Sequence, residues 1–379
     1  MQQYLNQSYP MDSILRMMFM GGLAEQYGDS RQRRLRFSFK KDVYWVDHGV
    51  KDEKSLRDAL LSRRPEQVHF DTLLLSSPFS SSCPEEKKIR VREVMFDVDV
   101  TEYERFCPCK DPALGKKVCS RCWQFVEGAS LVLDFLLRVH YGIPEGNILW
   151  ILSGMKGFHC LVNDARFLFK TRKERLYLFQ LLNRFSEKEL IEFATRYLQP
   201  WNEGFSEILL AQFEERSVIK RGMMSLDSFQ DSCLSLLSRE YPSLRNKMEL
   251  VWFNLRAGTS LDKWRGLREQ EKFQFPGSPP PSLIIALRCY WPRIDKGPFA
   301  EKKHVFKLPF SVHHESRRVS LPVEREAIVS DALPEGLATL GEINSHFLKH
   351  GQVEPSLVRG KEIFDQWLSY YVVPEEENV

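Results

Sequence analysis

The chain has 379 residues, 43% hydrophobic and 28% charged, so it can bury two or three lobes and disorder over most of its length is excluded. Its 54 basic and 51 acidic residues leave a formal charge of +3, so any phosphate-binding surface must be assembled locally rather than by bulk charge. Four of the eight cysteines crowd between Cys107 and Cys122, Arg16 interrupts the apolar patch Ile14 to Met20 with no clear cleavage site after it, and no run of about 18 apolar residues occurs; a secreted disulfide framework and a transmembrane helix are not expected, and the chain reads as a soluble protein of a reducing compartment.

In chain order, the N-terminal segment to about Tyr27 has helical spacing at Leu15, Met18 and Leu23. Phe37 to Phe39 and Val43 to Val46 read as strands. The segment Val94 to Val100 is a strand whose side chains alternate. Val94, Phe96, Val98 and Val100 take one face, and Met95, Asp97 and Asp99 the other. Trp123 to Tyr141 is helical, Ile148 to Leu152 is an apolar strand, Ser153 to Gly157 is a turn, and Phe158 to Val162 is the returning strand. From Glu187 to Tyr241 the pattern is helical, and it resumes from Asn246 to Leu255. A proline-rich linker spans Gln274 to Pro281, followed by a helix from Ser282 to Cys289. Strand patterns return at Trp291 to Asp295 and Arg318 to Val323, and an amphipathic helix spans about Val358 to Tyr371. This order predicts an α+β fold. A first core part covers 1–186, an all-helical insert 187–281, and the second core part with the terminal helix 282–379.

Four constellations carry chemistry. Asp97 and Asp99 repel each other on one strand face, and a divalent cation with a preference for oxygen relieves that repulsion; an exposed edge strand is the bland alternative. Cys107, Cys109, Cys119 and Cys122 form two close thiol pairs with the count of a closed tetrahedral Zn²⁺ site, which would be structural; four free buried thiols are the alternative. Ser153, Lys156 and His159 surround two glycines in a turn where the backbone can approach phosphate oxygens, although a plain hairpin explains the glycines equally well. Asp295 precedes Lys296, Lys302, Lys303, His304 and Lys307, and then His313, in a metal–phosphate pattern or a solvated basic loop.

Taken in order, these motifs resemble the small catalytic subunit of the archaeal and eukaryotic DNA primases, the eukaryotic type more closely. The resemblance rests on Phe37 to Phe39, Phe96 to Thr101, Cys119 to Trp123, Ser153 to Cys160, Trp291 to Asp295 and Lys307 to His313. It implies an RRM-like primase catalytic core with a zinc-binding module at 107–122 and an inserted helical subdomain. It implies synthesis of short RNA primers on single-stranded DNA from ribonucleoside triphosphates. Asp97, Asp99 and Asp295 fall on the family's aspartates for two Mg²⁺ or Mn²⁺ ions, and Ser153, Lys156, His159, Lys307 and His313 on its nucleotide positions. It further implies a primase large subunit as partner, the DNA polymerase alpha complex beyond it, and a nuclear location, with an organellar one left open. The chain departs from the family pattern at Met155 and Lys156, where two arginines are usual, and lacks an arginine near Tyr44 to Val46. Lys156 keeps a point charge without the bidentate fork of arginine; Lys302 and Lys303 are candidate substitutes. Two other readings stay open. A diverged, catalytically weak subunit would act as a DNA-binding or assembly module. A metal-dependent phosphodiesterase would explain Asp97 and Asp99 but not the cation series from Ser153 to Lys307.

Overall fold

The computed structural model describes residues 1–20, 35–39, 43–47, 52–63, 67–70, 73–75, 89–103, 120–183, 186–198, 203–271, 279–301, 304–329 and 337–371. Helices and small antiparallel sheets are mixed along the chain, which is an α+β fold. No described helix is long and apolar enough to cross a membrane. The chain divides into two compact units. One contains Met1–Asp97, Ile143–Gln180 and Ile294–Val379, and the other Val98–Gly142 and Leu181–Arg293.

The first unit carries the sheets. Strands β1 (Leu35–Phe39), β2 (Val43–Asp47), β3 (Gln67–Phe70) and, far along the chain, Phe306–Lys307 form one sheet in which each strand is antiparallel to its neighbours. Leu73–Leu75 (β4) and Ile89–Val91 (β5) pair separately. The central sheet is built around the hairpin of β7 (Ile148–Leu152) and β8 (Gly157–Val162), registered from Ile148 opposite Val162 to Leu152 opposite Phe158. Strand β6 (Val94–Asp99) lies beside β8, and Leu321–Val323 pairs antiparallel with β7. Counting along the chain, Phe306–Lys307 is β9 and Leu321–Val323 is β10.

Period-two alternation decides what each face of the central sheet does. Met95, Leu149, Ile151, Leu161 and Leu321 join one buried cluster with Val68, Phe306 and the terminal helices. Asp97 follows Met95, and His159 precedes Leu161, on that same face. The apolar core and the polar site are thus two ends of one surface. The helix Pro355–Leu368 seals β10 closely: a Cβ on Gly360 would stand 2.7 Å from a Leu321 methyl carbon and 3.0 Å from the Pro322 carbonyl.

The second unit is helical in its described parts, apart from the Val98–Asp99 end of β6. The helix Ser120–Phe135 runs on through a π-turn, Leu136–His140, as its apolar spacing predicts. The helical region extends beyond the 187–281 expected from sequence, because Val98–Gly142 and the helix Pro281–Tyr290 cluster with it. Glu271 and Ser282 bridge the proline-rich connection: the Ser282 amide and hydroxyl donate to the two Glu271 carboxylate oxygens at 3.0 and 2.7 Å.

One local reading is corrected, and two helices are added to those expected from the sequence. Trp291–Asp295 is not a strand; Pro292 has no N–H to give a ladder, and Asp295 instead caps the short helix Lys296–Ala300. Ser260–Glu271 is a helix whose charged surface gives little periodic signal. Leu340–His350 is a helix marked by a Thr339–Glu342 capping box and closed by Gly351 at φ +66°.

The tightest packing in the helical unit predicts its own test. Gly128 lies under the Tyr290 ring, so an added Cβ would fall 2.0–2.2 Å from three ring carbons. That ring is fully buried and its hydroxyl is hydrogen-bonded to Ser217 at 2.7 Å, which denies it a retreat. Gly128→Ala gains about 1 kcal/mol of helix propensity, but overpacking opposes it. A net loss of about 1–3 kcal/mol is expected in urea unfolding, and a stabilised variant would contradict this packing.

Candidate active site

Asp97 lies on β6, and its backbone carbonyl accepts the Asp295 N–H at 3.0 Å. One backbone hydrogen bond therefore brings together two carboxylate-bearing residues far apart in sequence. The Asp295 side chain accepts the Gly297 N–H through Oδ1 at 2.9 Å, which fixes its direction. Asp99 ends the same strand as Asp97, two residues on, so the two share a face; both are partly exposed between buried neighbours. Across on β8, His159 Nε2 stands 3.6 Å from Asp97 Oδ1.

The glycine turn comes next. The Ser153 N–H donates to the Gly157 carbonyl at 3.0 Å, and the Gly157 N–H reaches the Ser153 hydroxyl at 3.3 Å. Gly154 adopts φ +87°, and a Cβ there would lie 3.2 Å from the Arg318 carbonyl and 3.5 Å from His313 Cβ. Glycine is needed at this position both for its backbone angle and for the close approach. Lys307, on the short edge strand β9, donates from Nζ to the Ser153 carbonyl at 2.7 Å. The loop from His313 to Arg318 closes over the turn: the His313 N–H donates to the Arg318 carbonyl at 2.8 Å, and Arg317 takes a left-handed φ of +58°.

Burial sets the charge state of these bases. It lowers the Lys307 pKa to about 7, against the opposing pull of Asp97. It lowers His159 to about 3, helped by the positive charge of Lys307 and then of His313. It lowers His313 to about 4, helped mainly by Lys307. At neutral pH both histidines are neutral and Lys307 is poised at half charge. His313 Nδ1 receives the N–H groups of Glu315 and Ser316 at 3.3 and 3.4 Å, which leaves Nε2 as its protonated, donating nitrogen. His159 Nδ1 is buried without a hydrogen-bond partner among the described residues, a position that a bound ligand would satisfy.

The structure thus gathers Asp97, Asp295, Ser153, His159, Lys307 and His313 in the first unit, with Lys156 in the same turn and close enough to act on His313. The carboxylates offer only oxygen, the donor chemistry of Mg²⁺ or Mn²⁺. Among the described residues no group of three or more His, Cys, Asp or Glu side chains is arranged to hold a metal ion. Cys122 is buried near the start of its helix; Cys107, Cys109 and Cys119 lie outside the described residues, as do Lys302 and Lys303. Sequence reading missed Ser316, whose hydroxyl donates to the Gly154 carbonyl at 2.7 Å. A serine in a polar loop carries no signal of that contact.

A family model described as DNA primase small subunit matches residues 96–325. The chain belongs to the DNA primase small subunit family. The DNA primase small subunit of Saccharomyces cerevisiae is 22% identical, covering 98% of this chain and 90% of its own length. That of Caenorhabditis elegans is 25% identical over 84% of this chain and 80% of its own. That of Drosophila melanogaster is 32% identical over 36% of this chain and 32% of its own. The matched span contains Asp97, Asp99, Asp295, the glycine turn, Lys307 and His313. Membership supports a DNA primase role, a nucleotidyltransferase in general terms, working on a DNA template within a primase complex.

A polyanion arriving beside Lys307 favours its charged form and raises its pKa. Binding of ATP without divalent metal should therefore take up about one proton at pH 8.5, where the free amine is neutral, and little at pH 6, where it is already charged. Calorimetry in two buffers of different ionisation heat reads this uptake. Lys307→Arg should abolish it, and equal uptake by wild type and variant would remove Lys307 from the anion site.

Proposed function

We propose that this chain is the catalytic subunit of a DNA primase, synthesising short RNA primers on single-stranded DNA from ribonucleoside triphosphates. The observation that carries the reading is the juxtaposition of the Asp97–Asp295 pair with the turn, lysine and histidines that suit a triphosphate. In this reading Asp97, Asp99 and Asp295 hold two Mg²⁺ or Mn²⁺ ions. Those ions supply charge neutralisation for an in-line nucleotidyl transfer.

The protein's own groups do the rest. Lys307 takes a proton as the triphosphate enters and places a cation against it. Ser153 and Lys156 present a hydroxyl and an ammonium group from the turn. His313, neutral and fixed as the Nε2–H tautomer, donates a hydrogen bond without adding charge. His159, neutral, stands 3.6 Å from Asp97 through Nε2 and bears on that carboxylate without adding charge. Electrostatic groups fixed in advance are worth most in such a desolvated place.

The wider reading adds an RRM-like core, supported by the succession of strand, helix, strand hairpin and later strand along 94–323. It adds a structural zinc held by Cys107, Cys109, Cys119 and Cys122, supported by the two close cysteine pairs in the sequence. A primase large subunit as partner, assembly with the DNA polymerase alpha complex and a nuclear location follow from the family resemblance. A diverged, non-catalytic subunit is the weaker alternative, because the aspartates and Lys307 are all retained.

Two experiments test this. Primer synthesis on single-stranded DNA with Mg²⁺ or Mn²⁺ should fall at least about a hundredfold in Asp97→Asn, with the fold unchanged by circular dichroism. If the isolated chain is silent, the assay is repeated with the large subunit, and undiminished synthesis by the variant defeats the reading. The purified protein should also contain one zinc by elemental analysis, and a Cys119→Ser/Cys122→Ser variant should lose it. Zinc retained by that variant would remove these cysteines from the site.

A further inference from the structure

We propose that Ser316 is a positioning residue that locks the glycine turn to the histidine loop and holds His313 in its donating tautomer. The inference rests on the nucleotide-binding reading of this site and adds a residue to it.

Three hydrogen bonds meet at Ser316. Its hydroxyl donates to the Gly154 carbonyl at 2.7 Å. The same oxygen accepts the Arg318 N–H at 3.3 Å. Its backbone N–H donates to His313 Nδ1 at 3.4 Å, beside that of Glu315 at 3.3 Å. One short side chain thus ties residues 153–157 to residues 313–318. The two segments also approach closely at Gly154, where a Cβ would stand 3.2 Å from the Arg318 carbonyl.

The loop needs such a tie. Arg317 sits at φ +58°, a left-handed backbone that an L side chain resists. That angle lets the Arg317 N–H return to the His313 carbonyl at 2.9 Å, and so aims the Glu315 and Ser316 amides at the His313 ring. Without the hydroxyl, the loop loses its polar tie to the turn and can relax from this strained form. The ring would then exchange between tautomers, and in one of them Nε2 has no proton to donate.

The test uses the full chain with Ser316→Ala and Ser316→Thr. Thr keeps the hydroxyl and should behave as wild type within about twofold. Ala should weaken ATP binding about fivefold, the worth of a typical net hydrogen bond, and raise KM for the triphosphate more than it lowers kcat. Nitrogen-15 correlation spectra of His313 should show the Nε2–H tautomer in wild type and Thr, and a tautomer mixture in Ala. If Ala does not fold, Ser316→Cys replaces it, keeping shape with a weaker donor, and an intermediate loss is expected. Wild-type binding with unchanged tautomer and affinity in Ala, or in Cys where that variant replaces it, overturns the positioning role. Absence of ATP binding by wild type itself overturns the functional reading. In that case a tautomer change in the same variant still supports the lock, and an unchanged tautomer overturns it.

Discussion

Three bases, Lys307, His159 and His313, meet near Asp97, and the burial that keeps them largely uncharged constrains the rest of the site. Burial is the largest cause at each; the charge of Lys307 adds to it at both histidines and that of His313 at His159, while Asp97 opposes it at Lys307. Such a group cannot be held by ion pairing alone. It is held by neutral hydrogen bonds: Lys307 to the Ser153 carbonyl, Ser316 to the Gly154 carbonyl, and two amides to His313. Of the three, only Lys307 lies near enough to neutrality to gain charge when an anion enters; the two histidines stay neutral.

The sheet makes this arrangement possible because its face is divided along the strands. Met95 and Leu161 anchor one end in the apolar core, and the next residues of the same parity, Asp97 and His159, emerge from it. Side-chain parity fixes the facing, and the core fixes the register, since a slip by one residue would exchange Asp97 for Val98. The bond from the Asp295 N–H to the Asp97 carbonyl then adds the second carboxylate without asking anything of side-chain packing.

Much of this was legible in the sequence, for physical reasons. The β6 alternation, the β7–β8 hairpin and the helix from Ser120 are local patterns, and local periodicity reports them. Asp97, Lys307 and His313 stood out in the sequence only as members of an ordered set of short motifs. Their spatial meeting depends on pairing across the chain, which spacing does not encode. The misreading at Trp291–Asp295 came from weighing apolar residues above Pro292. The helix Ser260–Glu271 was missed because Trp264 and Leu267 alone mark its buried face among charged neighbours. Ser316 was invisible because its partner is a backbone carbonyl, and every residue has one.

The same physics bears on Met155, which stands where the family pattern carries an arginine. A unit charge pair at 4 Å is worth about 1 kcal/mol in water but about 4 kcal/mol at an effective dielectric of 20. Met155 and Lys156 are partly exposed on the turn, so a cation at either would act through a solvent-weakened field. Lys307 shares that partial exposure, yet burial still lowers its pKa to about 7 beside the Ser153 carbonyl. In the proposed reading, Lys307 gains charge as a phosphate group binds and so offsets part of what the turn forfeits at Met155.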